Sequence, residues 1–296
     1  MERYSMRPLA VIMKILTVYA HPADTITNCG GTLARHADAG DEITALIVTH
    51  GGRIHANRYA EEQRKDNPDE EIAAAGLQEI IDHKKGELEQ AAEIIGIEKL
   101  ITLDLDDTLA AVREDVVEQI AEQIALEQPD VIVCDYPKNP VFASDPHTVI
   151  SQMALAAIGR AGAYLKNLDG RAETTIKQVF LTSFQAITND ALSHYGMRND
   201  YFVDITPVLG RKVAAMDCFE SQGYAGLFAR KLIESNNGEH GRSAGVNFAE
   251  AFVRLYSETH SLLTVTEAAT QADPLTRHLT YSQVNLREQF PLPTKD

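Results

Sequence analysis

The chain has 296 residues, 44% of them hydrophobic, and a formal net charge of −16. That is enough for one large α/β domain or two small ones with a sizeable core. The acidic excess argues against nucleic-acid and membrane-surface partners, both polyanionic, and fits a soluble protein. Cys29, Cys134 and Cys218 are far apart, odd in number and set in apolar patterns. They read as buried thiols in a reducing compartment, not as a disulfide framework. No stretch approaches transmembrane length. Residues 1–12 are only partly apolar and lack a cleavage-site pattern, so the cytoplasm is the expected compartment.

In chain order, residues 1–12 read as an extension and the fold starts near Met13. A first strand is predicted over 15–19, then a turn carrying His21 and Asp24, then a helix over 25–39 with Gly40 as its C′ residue. Gly30 and Gly31 inside that helix cost helix propensity and point to close backbone packing. A β-branched second strand over 43–49 opens into the loop His50-Gly51-Gly52-Arg53-Ile54-His55. Residues 58–68 turn polar, as in a lid or insertion, and 69–95 read as one long helix or two, ending at Gly96. A third strand over 99–105 is followed by Asp106-Asp107, a helix over 112–126, and a short, fully apolar fourth strand over 131–134 of the buried parallel type. Asp145-Pro146-His147 opens a helix through 163. Strands follow over 174–182 and 201–205, helices over 207–221 and 225–235, a turn-rich loop over 236–242, and a strand-like element over 249–255. The expected organisation is one α/β domain over 13–263 and a C-terminal arm over 264–296, lying on the surface or on a neighbouring subunit.

Strands alternating with helices through the first half predict a parallel sheet with right-handed crossovers. Their C-terminal ends then share one rim, where such folds keep their chemistry. The loops after the first four strands carry His21 with Asp24, His50 with Arg53, Asp106 with Asp107, and Asp145 with His147. Each has a plain alternative: Asp145 can be a helix N-cap, Asp106 and Asp107 can cap the turn before Thr108, and His50 can be an ordinary loop residue. As a set on one rim they predict a site. Two His and one Asp would leave a zinc an open position for water. The loop His240-Gly241-Arg242 is a further candidate to reach over the site. His36, His83 and His278 read as solvated, and His194-Tyr195 as a weaker candidate.

His21-Pro22-Ala23-Asp24 followed by Gly30-Gly31 resembles the motif that opens the PIG-L (LmbE-like) zinc deacetylase family. Glu87, Ala91 and Ile95-Gly96 look like the family's helix between the second and third strands. Pro129-Asp130-Val131 and Asp145-Pro146-His147 look like its next two blocks. Val203 to Thr206, Lys212, Ala215, Ser221-Gln222 and Gly245 through Phe252 are similar to its C-terminal blocks. The resemblance runs from Met13 to Leu263 in matching order. It implies a Rossmann-like α/β fold with helices flanking a parallel sheet, a Zn2+ held by His21, Asp24 and His147, and a homo-oligomer of two to six chains. The proline between Asp145 and His147 leaves either as the third ligand.

The departures bear on mechanism. The family's general base is an Asp just before the metal-binding Asp, and here that residue is Ala23. The second-strand loop has Gly51-Gly52 where the family has Gly-Glu. A branch typified by 4-oxalomesaconate hydratase also has Ala before the metal Asp, but takes its acid/base Glu from that second-strand loop. Three readings follow. One is a zinc hydrolase removing an acyl group from a small polar N-acylated metabolite, its base displaced to His50, Asp106, Asp107 or Asp145. Another is a zinc hydratase or lyase acting on a small unsaturated keto-acid, with Arg53 binding the carboxylate and His50 moving the proton. The third is a non-catalytic metal- or ligand-binding member. Arg53, His240 and Arg242 are the candidate substrate-binding residues.

Overall fold

A computed structural model describes residues 12–54, 57–139, 143–167, 176–182, 198–263, 265–266 and 285–292. His55, His194-Tyr195, His278 and the extension before Ile12 lie outside the described residues. The described strands are β1 (Lys14–Tyr19), β2 (Glu42–Thr49), β3 (Lys99–Leu105), β4 (Val131–Asp135), β5 (Gln178–Thr182), β6 (Tyr201–Asp204) and β7 (Ala249–Arg254). They form one sheet in the order β3-β2-β1-β4-β5-β7-β6. The first five run parallel, as the strand-helix alternation requires. β7 runs antiparallel to β5, and β6 antiparallel to β7. The α/β sheet is therefore mixed at one edge.

Side chains that alternate along the strands feed two cores. Ile15, Tyr19, Ile43, Ile47, Val131 and Val133 join one core with α1 (Asp24–Asp38) and α4 (Leu77–Ile95). Leu16, Val18, Leu46, Val48, Ile132 and Cys134 join the other, with α5 (Glu114–Glu127) and α6 (Pro146–Asn167). Helix α1 stops where Gly40 takes a left-handed φ of 81°, and α4 stops at Gly96 with φ of 91°. Gly31 lets α1 approach the chain near β6: a Cβ there would sit 2.7 Å from Ile205 Cγ2.

The elements differ from those predicted at 207–221 and 236–242, and a helix appears in the polar segment. The polar segment after the second strand contains α2 (Asn57–Glu62), and α3 (Glu70–Ala73) precedes α4. The predicted helix over 207–221 is shorter, α7 (Leu209–Asp217), after a 3-10 turn at Thr206–Val208. Beyond α8 (Leu227–Leu232) and a π-helical turn at Ile233–Asn237, the expected loop over 236–242 is largely α9 (Gly238–Ala244). Gly241 is there for close packing, not for a turn, since a Cβ would lie 2.4 Å from the Asn247 carbonyl oxygen. The described part of the C-terminal arm returns to its own chain. Helix α10 (Leu286–Gln289) buries Leu286 in the α1-side core, and Arg230 donates to the carbonyls of Phe290 and Pro291. Among the described residues no helix is long and apolar enough to cross a membrane.

Candidate metal centre at the strand ends

Strand β1 hands over to α1 on one face of the sheet, and its neighbour β4 leads to α6 on the other. The crevice between their C-terminal ends is a topological switch point, where open α/β sheets bind ligands. The turn after β1 is set by Asp24, whose Oδ2 accepts the His21 N–H at 2.8 Å. Its position in the first turn of α1 also suits a carboxylate.

His21, Asp24 and His147 converge here, all buried. His21 Nδ1 lies 3.2 Å from His147 Nε2 and 3.3 Å from Asp24 Oδ2, and His147 Nε2 lies 3.4 Å from Asp24 Oδ2. A tetrahedral zinc with bonds of about 2.0–2.1 Å separates its ligand atoms by about 3.3–3.4 Å. The three donors therefore already span one face of such a tetrahedron, and their chemistry suits a borderline-soft divalent ion. Burial alone would raise the Asp24 carboxyl, but the His147 and His21 rings hold it well below the usual carboxylate range. Burial would lower His147, yet the Asp24 and Asp145 carboxylates raise it well above the usual imidazole value. His21 goes the other way, lowered by burial against the pull of Asp24.

Asp145 stands behind His147. Its Oδ1 accepts from His147 Nδ1 at 2.6 Å and from the His147 N–H at 3.0 Å, and its Oδ2 accepts from Asn139 at 2.9 Å. It is thus the helix N-cap and the partner that orients the ring, leaving Nε2 for the triangle.

The second rim cluster is His50, Asp106 and Asp107. Asp107 is fully buried, and its carboxylate accepts the N–H groups of Arg53 and Ile54. His50 Nδ1 accepts the Gly52 N–H at 2.9 Å, with Asp107 Oδ1 at 3.2 Å. Asp106 is half-exposed and caps the turn before Thr108 through the N–H and hydroxyl of that residue. The Arg53 side chain is bound to Asp106 at 2.6 Å on the surface, so as placed it is not a carboxylate clamp. Arg242 pairs with Glu239 on its own helix, and the His240 ring faces Phe202 of β6 at 6.4 Å. Neither contact brings these two residues to the triangle. Helix α9 packs on β6 and β7, away from the β1–β4 crevice.

Residues 16–158 match a known family, described as PIG-L: GlcNAc-PI de-N-acetylase. The chain carries a PIG-L family domain. This PIG-L chain is 26% identical over 215 residues to diacetylchitobiose deacetylase of Thermococcus kodakarensis, covering 73% of this chain and 72% of that one. It is 24% identical over 238 residues to 4-oxalmesaconate hydratase of Pseudomonas putida, covering 80% and 85%. In fold it is similar to the crystal structure of 4-carboxy-2-hydroxymuconate hydratase from Pseudomonas putida, with a TM-score of 0.68 at 22% identity, over 86% of this chain and 100% of the other. With deacetylases and a hydratase as its relatives, the PIG-L chain is an enzyme of the hydrolase or hydratase kind.

Two buried ionisable residues of this PIG-L site escape the sequence patterns. Lys84 sits in the apolar stripe of α4 with Ile80, Ile81 and Leu88, and its ammonium donates to the Gly51 carbonyl. Burial pulls Lys84 down to about 8, against the pull of Asp107, Glu87 and Asp24. Asp135 closes β4 and is 2% exposed. The one signal for it in the sequence is a carboxylate ending an apolar strand.

Proposed function

We propose that the chain is a zinc-dependent hydrolase that removes an acyl group from a small, polar N-acylated metabolite. The observation that carries this is the His21–Asp24–His147 triangle, whose edges of 3.2, 3.3 and 3.4 Å suit one tetrahedral divalent ion. The deacetylases among the relatives support it. When bound, zinc would polarise a substrate oxygen and make a water molecule more acidic. His21 Nδ1, Asp24 Oδ2 and His147 Nε2 would hold it, and Asp145 would fix the ring of His147 in the tautomer that leaves Nε2 a lone pair. The main chain of the loop after β2, tied down by Asp107 and Lys84, forms one wall: a Cβ on Gly51 would lie 3.6 Å from the His21 ring.

Ala23 favours a second reading, a hydratase acting on a small unsaturated keto-acid. A methyl group cannot take a proton from water. The 4-oxalmesaconate hydratase similar to this chain supports that chemistry. Metal content by elemental mass spectrometry, on wild type and His21→Ala, tests the common part. About one zinc per chain, lost in the variant, is expected. The loaded protein is then offered N-acetylated amino sugars, with acetate release as the readout, and unsaturated keto-acids, with loss of ultraviolet absorbance. Acetate release supports the hydrolase. Absorbance loss without acetate replaces it with the hydratase. No metal after zinc is supplied refutes both.

A further inference from the structure

We propose that Asp135 is the proton-carrying carboxyl of this site, the group that position 23 does not supply. The proposal rests on the hydrolase-or-hydratase reading above.

Val18 and Cys134 are paired across β1 and β4, so Asp135 is the next residue up on the rim of the switch-point crevice. Both described hydrogen bonds to its carboxyl end on one oxygen. Oδ1 accepts from Asn28 Nδ2 of α1 at 3.0 Å and from the Thr182 hydroxyl of β5 at 3.0 Å. Oδ2 has no hydrogen-bond partner among the described residues. The group is thus held rigidly by one oxygen while the other can take and release a proton.

The other rim candidates are committed. Asp145 holds the His147 ring and Asn139. Asp107 holds the backbone of Arg53 and Ile54. Asp106 is on the surface with Arg53 and Thr108, and His50 Nδ1 is taken by Gly52.

The titratable groups that couple to Asp135 are Tyr19 of β1, Asp24 and Cys29 of α1, Cys134 of β4, and Asp145 and His147 beside and on α6. Burial pushes its carboxyl up to about 8, His147 opposes this, and Asp24 and Asp145 add to it.

The proton balance closes for either chemistry. In acyl removal the water oxygen bonds to the acyl carbon and one water proton passes to Asp135. The same proton then goes to the amine nitrogen as the C–N bond breaks. In hydration the water oxygen bonds to one alkene carbon, and the proton passes through Asp135 to the neighbouring carbon. In both cases the carboxylate ends as it began.

The test uses the full chain loaded with Co2+, whose visible bands report protonation events beside the ion. Wild type, Asp135→Asn and the surface control Asp106→Asn are titrated with alkali, with cobalt content and thermal unfolding measured alongside. Asn at 135 keeps an oxygen for Asn28 and Thr182, so full cobalt content and near-wild-type unfolding are expected. The midpoint of the band change should move by about one pH unit or more in Asp135→Asn and stay in place in Asp106→Asn. On the substrate found above, kcat should fall about 100-fold or more with KM changed less than about threefold. If Asp135→Asn does not fold, Asp135→Ser replaces it with the same expected shift. An unmoved midpoint at full cobalt content overturns this proposal alone, as does loss of cobalt from the variant. A wild type that binds no divalent ion overturns the proposed function, and this proposal with it.

Discussion

Glu250 of β7 and Lys212 of α7 form an ion pair in which both side chains are 0% exposed. The Glu250 carboxylate also accepts the N–H groups of Gly31 and Thr32 at 2.9 and 2.6 Å, and the Lys212 ammonium donates to the Thr27 carbonyl at 3.0 Å. The pair is therefore wedged against the backbone of α1, the helix whose first turn carries Asp24. Replacing Glu250 with Gln leaves a buried ammonium with no counter-charge, which costs about 3–5 kcal/mol. For a chain of 296 residues, with an unfolding entropy of about 0.6 kcal/mol/K, that corresponds to a drop of roughly 5–8 °C in Tm. Replacing both partners, Lys212→Met with Glu250→Gln, removes the unpaired charge and should recover about 2 kcal/mol or more of that loss. Urea unfolding of the metal-free protein measures wild type and both variants, with an unchanged m-value as the sign that stability alone has moved. If Glu250→Gln costs under about 1 kcal/mol, or if the double variant is no better than the single, the pair does not hold α1 in the way argued here.

Asp145→Asn should weaken zinc binding about 10- to 100-fold without abolishing it, as expected for a residue that orients a ligand. Chelator competition measures this, and wild-type affinity would refute the role given to Asp145. Zinc must displace a proton from His147, which its carboxylate neighbours hold above the usual imidazole value. Affinity should therefore rise with pH through and above the ordinary imidazole range, by about tenfold per unit for one displaced proton. A flat profile between about pH 6 and 8 would contradict the raised His147. Gly241→Ala forces a methyl within 2.4 Å of the Asn247 oxygen and 2.6 Å of the Asn247 carbonyl carbon, both main-chain atoms that cannot swing aside. Despite the roughly 1 kcal/mol that Ala gains in helix propensity, a net loss of about 1–3 kcal/mol is expected in urea unfolding. A neutral outcome would mean that α9 can shift outward.

The parallel half of the fold was legible because buried parallel strands are written as short apolar runs. Residues 131–134 fall within β4, every residue of which is buried, and Gly40 and Gly96 mark the ends of α1 and α4 through their left-handed φ. His21, Asp24 and His147 were legible for a related reason: the strand ends that bear them are placed by topology, not by side-chain detail. Strand direction was not legible at the far edge. The apolar pattern of 249–255 marks a strand, but nothing local says that β7 turns back against β5. Nor does the sequence separate the two uses of glycine in 238–241. One is freedom in a turn and the other is a close contact inside a helix, and only the Asn247 backbone decides between them.

The buried charges were hidden most completely. Lys84 sits within a periodic apolar segment, where pattern reading discounts a lone charge, and Asp135 simply ends an apolar run, whereas Lys212 and Glu250 fall in blocks that the sequence already singled out, without showing that they pair. Each is tolerated because its neighbours across the fold hold it: Lys84 on the Gly51 carbonyl, Lys212 with Glu250 and the Thr27 carbonyl, Asp135 under Asn28 and Thr182. Those partners are distant in sequence and are set by the strand order. Ala23 shows the converse. It is 1% exposed and belongs to the α1-side core. Its methyl group contributes to packing there and cannot take a proton. Under the proposed function, the proton is then carried from another strand end. β4, adjacent to β1 across the crevice, brings the Asp135 carboxyl, whose described hydrogen bonds all end on one oxygen.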